Sequence, residues 1–337
     1  MEIFTNHTIS EFQKDYFLLI EKIYPQNLWQ QKKNTSINTV FFHKGIVLKN
    51  EKEVLATAVL YLNPCVCANE APAICFGNFE CVNDREIAGK LFSSVVEEAK
   101  QAGKEILIGP MNGSTWDEYK WATNSFENYY LTDLLHPAYY PQFAMENGFT
   151  PLADYFSQID TDLKFDEGKL QRALDFTRSA GVTFRNMDLN NYENELDKLY
   201  NFCTLSFKNN FLYSGIEKEK FKEKYRPLKQ LINPDLVFMA IDEKDEFRGL
   251  MFAFDNFPDK EKKGIVLKTL ARSPEKKYSG LGTILSCMLY ERIRKKNYEY
   301  IIHAFMHQSN VSKNISDQFS GRPFKNYSLF QKKLNEY

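Results

Sequence analysis

The stretch Lys276-Lys277-Tyr278-Ser279-Gly280-Leu281-Gly282-Thr283 sets two lysines, a hydroxyl and a glycine pair between an apolar run and an amphipathic one. Glycines at such a junction let the backbone approach a ligand without side-chain obstruction. The first turn of the helix that follows points its free N–H groups outward with the positive end of the helix dipole, an arrangement that suits phosphate. Lys276 and Lys277 would add charge beside it. A tight strand-to-helix turn needs the same glycines, so the pair alone leaves both readings open. Three residues are candidates to carry a proton: Glu80, ahead of a helix start, and His303 and His307, at the end of a late apolar run. Support of the helix start and core packing are the alternative uses of these side chains. Cys287, inside Ser286-Cys287-Met288-Leu289, has the apolar neighbours of an inert thiol. The turn-rich stretch Gly109 to Trp116 offers Asn112, Ser114 and Trp116 as pocket lining, with a tight connection as the alternative.

The elements that must position these residues fall into a repeated order. Thr39 to His43 with Ile46-Val47-Leu48, and then Val54 to Tyr61, are β-branched and aromatic runs separated by the turn-like Lys49 to Lys52, as in a meander. Ala73 to Glu80 is a further strand. Asn83-Asp84 then starts a helix over Ile87 to Gln101, with Leu91, Val95 and Ala99 at four-residue steps, and Gly103 ends it. Ile106-Leu107-Ile108 completes a strand, helix, strand unit whose two strands should be parallel neighbours. The order recurs in a hairpin over Pro234 to Phe254, a strand Gly264 to Leu270, a helix Gly282 to Lys295 and a strand Tyr300 to Phe305. Ungapped overlay sets Gly89 against Gly282 and Leu91-Phe92-Ser93 against Ile284-Leu285-Ser286, so one repeat underlies both halves. The charged connection Asp160 to Gly168 places the boundary near residue 166, giving domains 1–166 and 167–337. Helices over Lys169 to Ala180 and within Tyr192 to Arg226 would open the second, with Lys218 to Lys224 as a solvated face.

Composition agrees with two compact domains, since the chain has 337 residues, 43% of them hydrophobic and 26% charged. Lys and Arg number 43 against 44 Asp and Glu, a balance of −1 that argues against a general nucleic-acid binder. Aromatic residues reach 15%, enough to line grooves as well as cores. Glu2, Glu11 and Asp15 stand where a secretory leader would need a basic start, and no eighteen apolar residues run together, so a soluble cytoplasmic protein without a membrane partner is expected. The gaps among Cys65, Cys67, Cys75 and Cys81 do not repeat the paired C-x-x-C of structural zinc sites. No metal is expected, and the cysteines should serve as reduced, small apolar residues.

Lys277-x-x-Gly280-x-Gly282 resembles the pyrophosphate-binding motif Gln/Arg-x-x-Gly-x-Gly/Ala of the GNAT (GCN5-related N-acetyltransferase) superfamily, with lysine in the first place. The flanking strand, helix and strand fall in that family's order. Tyr139-Tyr140 through Asn147-Gly148-Phe149 is similar to the ending of GNAT copies, and Ile87 and Gly89 stand where the glycine pair would be. The resemblance therefore implies an α/β (α+β) fold of two GNAT-like domains, each a mixed central sheet flanked by helices, with a degenerate first copy. It implies that acetyl-CoA or another acyl-CoA is the co-substrate, held by Lys276, Lys277, Ser279, Gly280, Leu281, Gly282 and Thr283. Strand 264–272, Leu270 included, would pair with the pantetheine amides, and Asn310 stands where many members hold the pantetheine. Asp317 occupies the place of the family's frequent tyrosine acid.

Transfer of an acyl group to an amine needs the amine neutral, a path for its proton and a donor for the oxyanion. The expected activity is that of an acyl-CoA-dependent N-acyltransferase acting on a small-molecule or peptide amine, with the first copy as the acceptor-side wall. Two alternatives belong to other classes: a FemAB-like aminoacyltransferase, which would favour a basic route for tRNA, and a non-catalytic acyl-CoA or metabolite-binding module.

Overall fold

The computed structural model describes residues 1–337 except 27, 29–31, 33–36, 69–70, 131, 169, 172–173, 176–180, 308–315, 317 and 335–337. Its strands are β1 (Glu2–Asn6), β2 (Phe42–Lys49), β3 (Val54–Tyr61), β4 (Cys67–Ala68), β5 (Ala71–Cys81), β6 (Ile106–Gly109) and β7 (Trp121–Ala122), followed by β8 (Thr150–Asp160), β9 (Thr183–Asn186), β10 (Val237–Ile241), β11 (Phe247–Asp255), β12 (Gly264–Arg272), β13 (Tyr300–His307) and β14 (Arg322–Lys333). The helices are α1 (Ile9–Ile23), α2 (Arg85–Gln101), α3 (Tyr140–Glu146), α4 (Tyr192–Phe207), α5 (Lys218–Tyr225) and α6 (Leu281–Lys295).

One mixed sheet runs through the molecule in the order β1-β2-β3-β5-β6-β14-β8-β13-β12-β11-β10-β9, with β4 beside β5 and β7 beside β14. The expected parallel pairs are both present: β5 lies on β6 and β12 lies on β13. The expected hairpin is β10 and β11. Thr39 to Phe41 do not extend the second strand; they turn, with Asn38 Oδ1 accepting from the Val40 and Phe41 N–H groups. The expected helix over 169–180 falls largely outside the described residues.

Period-two patterning explains the layers. Along β2, Val47 packs toward α1 with Phe12 and Tyr16, while Ile46 and Leu48 pack toward α2 with Leu91 and Val95. In the second half Val237 and Met239 face α4, whereas Phe238 faces α6 with Leu285 and Leu289. A strand covered on both sides reads as a continuous apolar run, and all of β3 is buried.

The halves exchange their last strands. β8, which follows α3 of the first half, lies on β13 of the second. β14, from the C-terminal end, lies on β6 of the first half and along β8. The β8–β14 seam makes the two sheets one. Cys75, Cys81, Cys203 and Cys287 are buried thiols as expected, whereas Cys65 and Cys67 are exposed because the short β4 lies off the main path.

Candidate functional site

β12 and β13 pair only from Gly264↔Tyr300 to Leu267↔His303. β12 then runs on to Arg272 along β11 with a bulge at Lys268, while β13 bends onto β8 with its own bulge between His303 and Met306 and Phe305 at φ 57°. Two parallel strands thus part, and among the described residues the β13-facing edge of β12 beyond Leu267 has no ladder partner. A cleft of about 650 Å³ fills this wedge. Lys268, Thr269, Leu270, Ala304 and Phe305 line one side of it, and the first half closes the other with residues 115–120, 132–134 and Tyr155. The segment between α4 and α5 forms a lip with Asn210, Phe211 and Tyr213.

At the end of β12, Lys276–Tyr278 make a single 3₁₀ turn, and Gly280 caps α6 with φ 91°. That left-handed backbone is the reason for glycine, since among the described residues beyond its chain neighbours nothing stands within 4 Å of where a Cβ would be. The glycine at the N-cap offers no side-chain cap to the helix start. Lys276, Lys277, Ser279 and Gly280 are exposed and Thr283 half-buried, while Leu281 and Gly282 face inward, Gly282 accepting through its carbonyl from Ser286 Oγ at 2.9 Å. Lys277 stands 3.6 Å from Glu275. An accessible, uncapped N-terminus beside two lysines fits a pyrophosphate, and the unpaired edge of β12 fits a chain of amides. Asn310 and Asp317 lie outside the described residues.

The three proton-carrier candidates are held in different surroundings. Glu80 is fully buried at the end of β5, where it pairs with Lys32 at 2.8 Å and accepts from the hydroxyls of Tyr24 at 2.8 Å and Tyr140 at 2.9 Å. It is neither on the surface nor on the cleft. His303 is buried on the cleft floor, with Nε2 2.9 Å from the Tyr290 hydroxyl and Nδ1 2.5 Å from Ser316 Oγ. Burial pushes its pKa down to about 4, against a smaller opposing pull from Asp160, so the ring is neutral at neutral pH. His307 is half-buried and opens onto the cleft between Tyr155 and Phe211, with ring centroids 5.0 and 5.8 Å away. Burial lowers its pKa as well, partly offset by Asp154.

Sequence motifs did not single out the cleft's lysines. Lys268 is exposed within the cleft, and desolvation by the surrounding protein, with Lys224 nearby, brings its pKa down to about 8. Lys120 is buried, its Nζ 3.8 Å from the Tyr119 ring centroid and 4.0 Å from that of Phe305. Each is a single lysine without a neighbouring motif, so only the fold brings them together. Of the candidate pocket residues, Trp116 lines the cleft, whereas Asn112 and Ser114 are buried in turns. Tyr140 and Tyr278 are fully buried core rings, and Tyr139 packs on Tyr140 and Phe143.

The first half repeats the parting strands and closes them. β5 and β6 pair over Ala73–Cys75 and Ile106–Ile108. Beyond this, the chain after β6 turns back onto β5: the Met111 N–H donates to the Phe76 carbonyl at 2.7 Å, and Asn112 Oδ1 accepts from the Asn78 N–H at 2.9 Å. A Cβ at Gly77 would lie 2.2 Å from Asn112 Oδ1, so glycine is what admits the plug. Asp84 caps α2, accepting from the Glu86 and Ile87 N–H groups at 2.9 and 3.1 Å. Among the described residues, no group of three or more His, Cys, Asp or Glu is placed to hold a metal, and no helix is long and apolar enough to cross a membrane.

No family model matches the sequence, and neither does any curated protein. Solved structures do match by shape. The GCN5-related glucosamine N-acetyltransferase region of a fungal multi-domain GH3 β-N-acetylglucosaminidase superposes with a TM-score of 0.59 at 11% identity over 98% of this chain, which spans 38% of that one. A tandem GNAT protein from the clavulanic acid biosynthesis pathway matches end to end, 100% of each chain, with a TM-score of 0.53 at 10% identity. A probable N-acyltransferase from Enterococcus faecalis V583 gives 0.55 at 7% identity over 99% of this chain and 73% of its own. Identities this low speak to architecture, and with two parting-strand units in one continuous sheet the chain has the tandem fold of the GNAT superfamily.

Proposed function

We propose that the chain is an acyl-CoA-dependent N-acyltransferase, with acetyl-CoA as the first donor to test, in which residues 167–337 hold the CoA and residues 1–166 wall the acceptor side. One observation carries the reading: the open wedge between β12 and β13, with the start of α6, whose N-cap residue is a glycine without a capping side chain, following the end of β12 in the chain. When bound, acyl-CoA supplies the thioester. Lys276, Lys277 and the N–H groups of Gly280 to Thr283 would take the pyrophosphate. The free edge of β12 through Leu270 would pair with the pantetheine amides and offer backbone N–H groups to the developing oxyanion. The acceptor amine enters from the first-half side, its nitrogen bonds to the acyl carbon and the carbon–sulfur bond breaks, with the sulfur leaving as CoA thiolate. His307, neutral at pH 7 and open to the cleft, takes the proton that the amine sheds. Buried His303 and Glu80 serve the framework in this reading.

Titration of acetyl-CoA into the wild type and Gly280→Glu tests the proposal. Binding by the wild type and a loss on the order of 100-fold in the variant are expected, because a carboxylate and a strained backbone would both oppose the phosphates. No wild-type binding, or equal binding by both, overturns it. Thiol release across a panel of amines then separates an enzyme from a binding module.

A further inference from the structure

Two amines enter the cleft from opposite halves without a carboxylate. Lys120 comes from the first half and Lys268 from the bulge of β12, and both stand on the Phe305 ring, with Nζ 4.0 and 5.4 Å from its centroid. Neither makes an ion pair with any described residue, although other lysines nearby do. Asp117 holds Lys224 at 2.7 Å and also accepts from Ser114 and Asn38, each at 2.8 Å. Asp133, whose field reaches Lys120, is taken by Lys325 at 2.6 Å. Glu118 also lines the cleft and pairs with neither lysine.

None of these acids forms an ion pair with Lys120 or Lys268, so two ammonium groups stand at the centre of the cleft without a paired carboxylate among the described residues. Ring faces attract an ammonium but do not replace the hydration it loses on burial, so a buried lysine held only by rings favours an incoming anion. The two amines also repel each other. Burial first, and then the charge of Lys268, draws Lys120 well below its ordinary pKa. A shared anion would relieve both effects at once. The walls beside the pair are Tyr119, Tyr155 and Phe305, flat surfaces suited to an apolar or aromatic body.

We infer that the acceptor is an amine that also bears a carboxylate, which docks between Lys120 and Lys268 with its apolar body against these rings. The inference rests on the cleft being the acceptor site of an N-acyltransferase, and its test uses no CoA. The full-length chain is titrated calorimetrically with 3-phenylpropionate and with 3-phenylpropanamide, which differ in charge and little in shape. The acid should bind at least about tenfold more tightly, and Lys268→Gln and Lys120→Met should each bring the ratio within about twofold, as expected when a charge-assisted contact is lost. Lys268 is exposed in the cleft, so its variant reports even where substitution of the buried Lys120 perturbs folding. Equal binding of acid and amide, absence of acid binding, or a preference that survives Lys268→Gln overturns the inference. Inorganic phosphate displacing the acid at equal concentration also overturns it, in favour of a phosphate subsite. Failure to bind acetyl-CoA in the Gly280→Glu comparison would remove the transferase reading and leave the acid-against-amide result standing as a property of the cleft.

Discussion

In the first half β5 and β6 run parallel over three residue pairs and separate; in the second β12 and β13 do so over four. The chain after β6 folds back into the first gap, where Met111 and Asn112 satisfy the backbone that parting exposes. Nothing comparable among the described residues fills the second gap, and its edge is lined by Lys268, Thr269 and Leu270. The helix starts differ in the same sense: Asp84 caps α2, whereas Gly280 leaves α6 uncapped. The comparison shows how a single architecture becomes a framework or a site. Exposed backbone in the wedge and at the helix start is satisfied by the protein itself in one copy, and by no comparable segment among the described residues in the other.

The largest effect expected from breaking this comparison is at Glu80. Glu80→Ala strands the Lys32 ammonium in the core and removes the acceptor of Tyr24 and Tyr140. Losing one partner of a buried ion pair costs about 3–5 kcal/mol, read as a fall in unfolding free energy in urea. If Glu80 belongs to the framework, the folded variant binds acetyl-CoA as the wild type does. A variant of undiminished stability that fails in thiol release would instead return Glu80 to the chemistry.

Each half also holds a neutral histidine out of full contact with water, His303 buried and His136 half-buried, which sharpens the comparison through pH. His136 in the first half accepts the Ala122 N–H through Nε2 at 2.9 Å, and burial brings its pKa down to about 3; His303 in the second is at about 4. Both folded values lie below the unfolded value of 6.5, so the unfolded chain binds more protons in the window between. Stability is complete above pH 6.5 and falls as the solution is acidified toward pH 4, by on the order of 3 kcal/mol for His303 alone. His136→Gln and His303→Gln should each flatten part of that slope in urea titrations from pH 7 to 4. Unchanged slopes would show that carboxylates alone govern the acid limb.

The repeated element order was legible because each element announces itself within about a dozen residues: apolar steps of four along α2, alternation in the strands, and glycines before α6. The exchange of β8 and β14 was not. Their pairing joins Thr150 to Gln331 and Ile159 to Arg322, and antiparallel partners so distant leave no mark in local pattern. At the site, Gly280 and its lysines could be read because backbone conformation and charge are local demands. Glu80 illustrates the converse, since its position ahead of a helix start suggested proton transfer or support of that start, and only the arrival of Lys32, Tyr24 and Tyr140 from other elements shows it paired in the core. Lys120 and Lys268 carried no signal for the same reason.

The smallest expected effect asks which feature keeps the first half closed to ligands. Asp84→Ala frees the Glu86 and Ile87 N–H groups at the start of α2 and should cost about 1 kcal/mol of stability, the usual worth of such a cap. An uncapped helix start alone would then resemble that of α6. The wedge beside it stays closed, because Asn112 still bonds the Asn78 N–H and Gly77 still lies against the Met111 carbonyl. Calorimetric titration with acetyl-CoA should therefore return the wild-type stoichiometry. An additional site in Asp84→Ala would mean that the cap, rather than the folded-back chain, is what separates the two copies. An additional site only in Asp84→Ala combined with Asn112→Ala would mean that both are required, since removing Asn112's carboxamide withdraws the acceptor that holds the plug against β5.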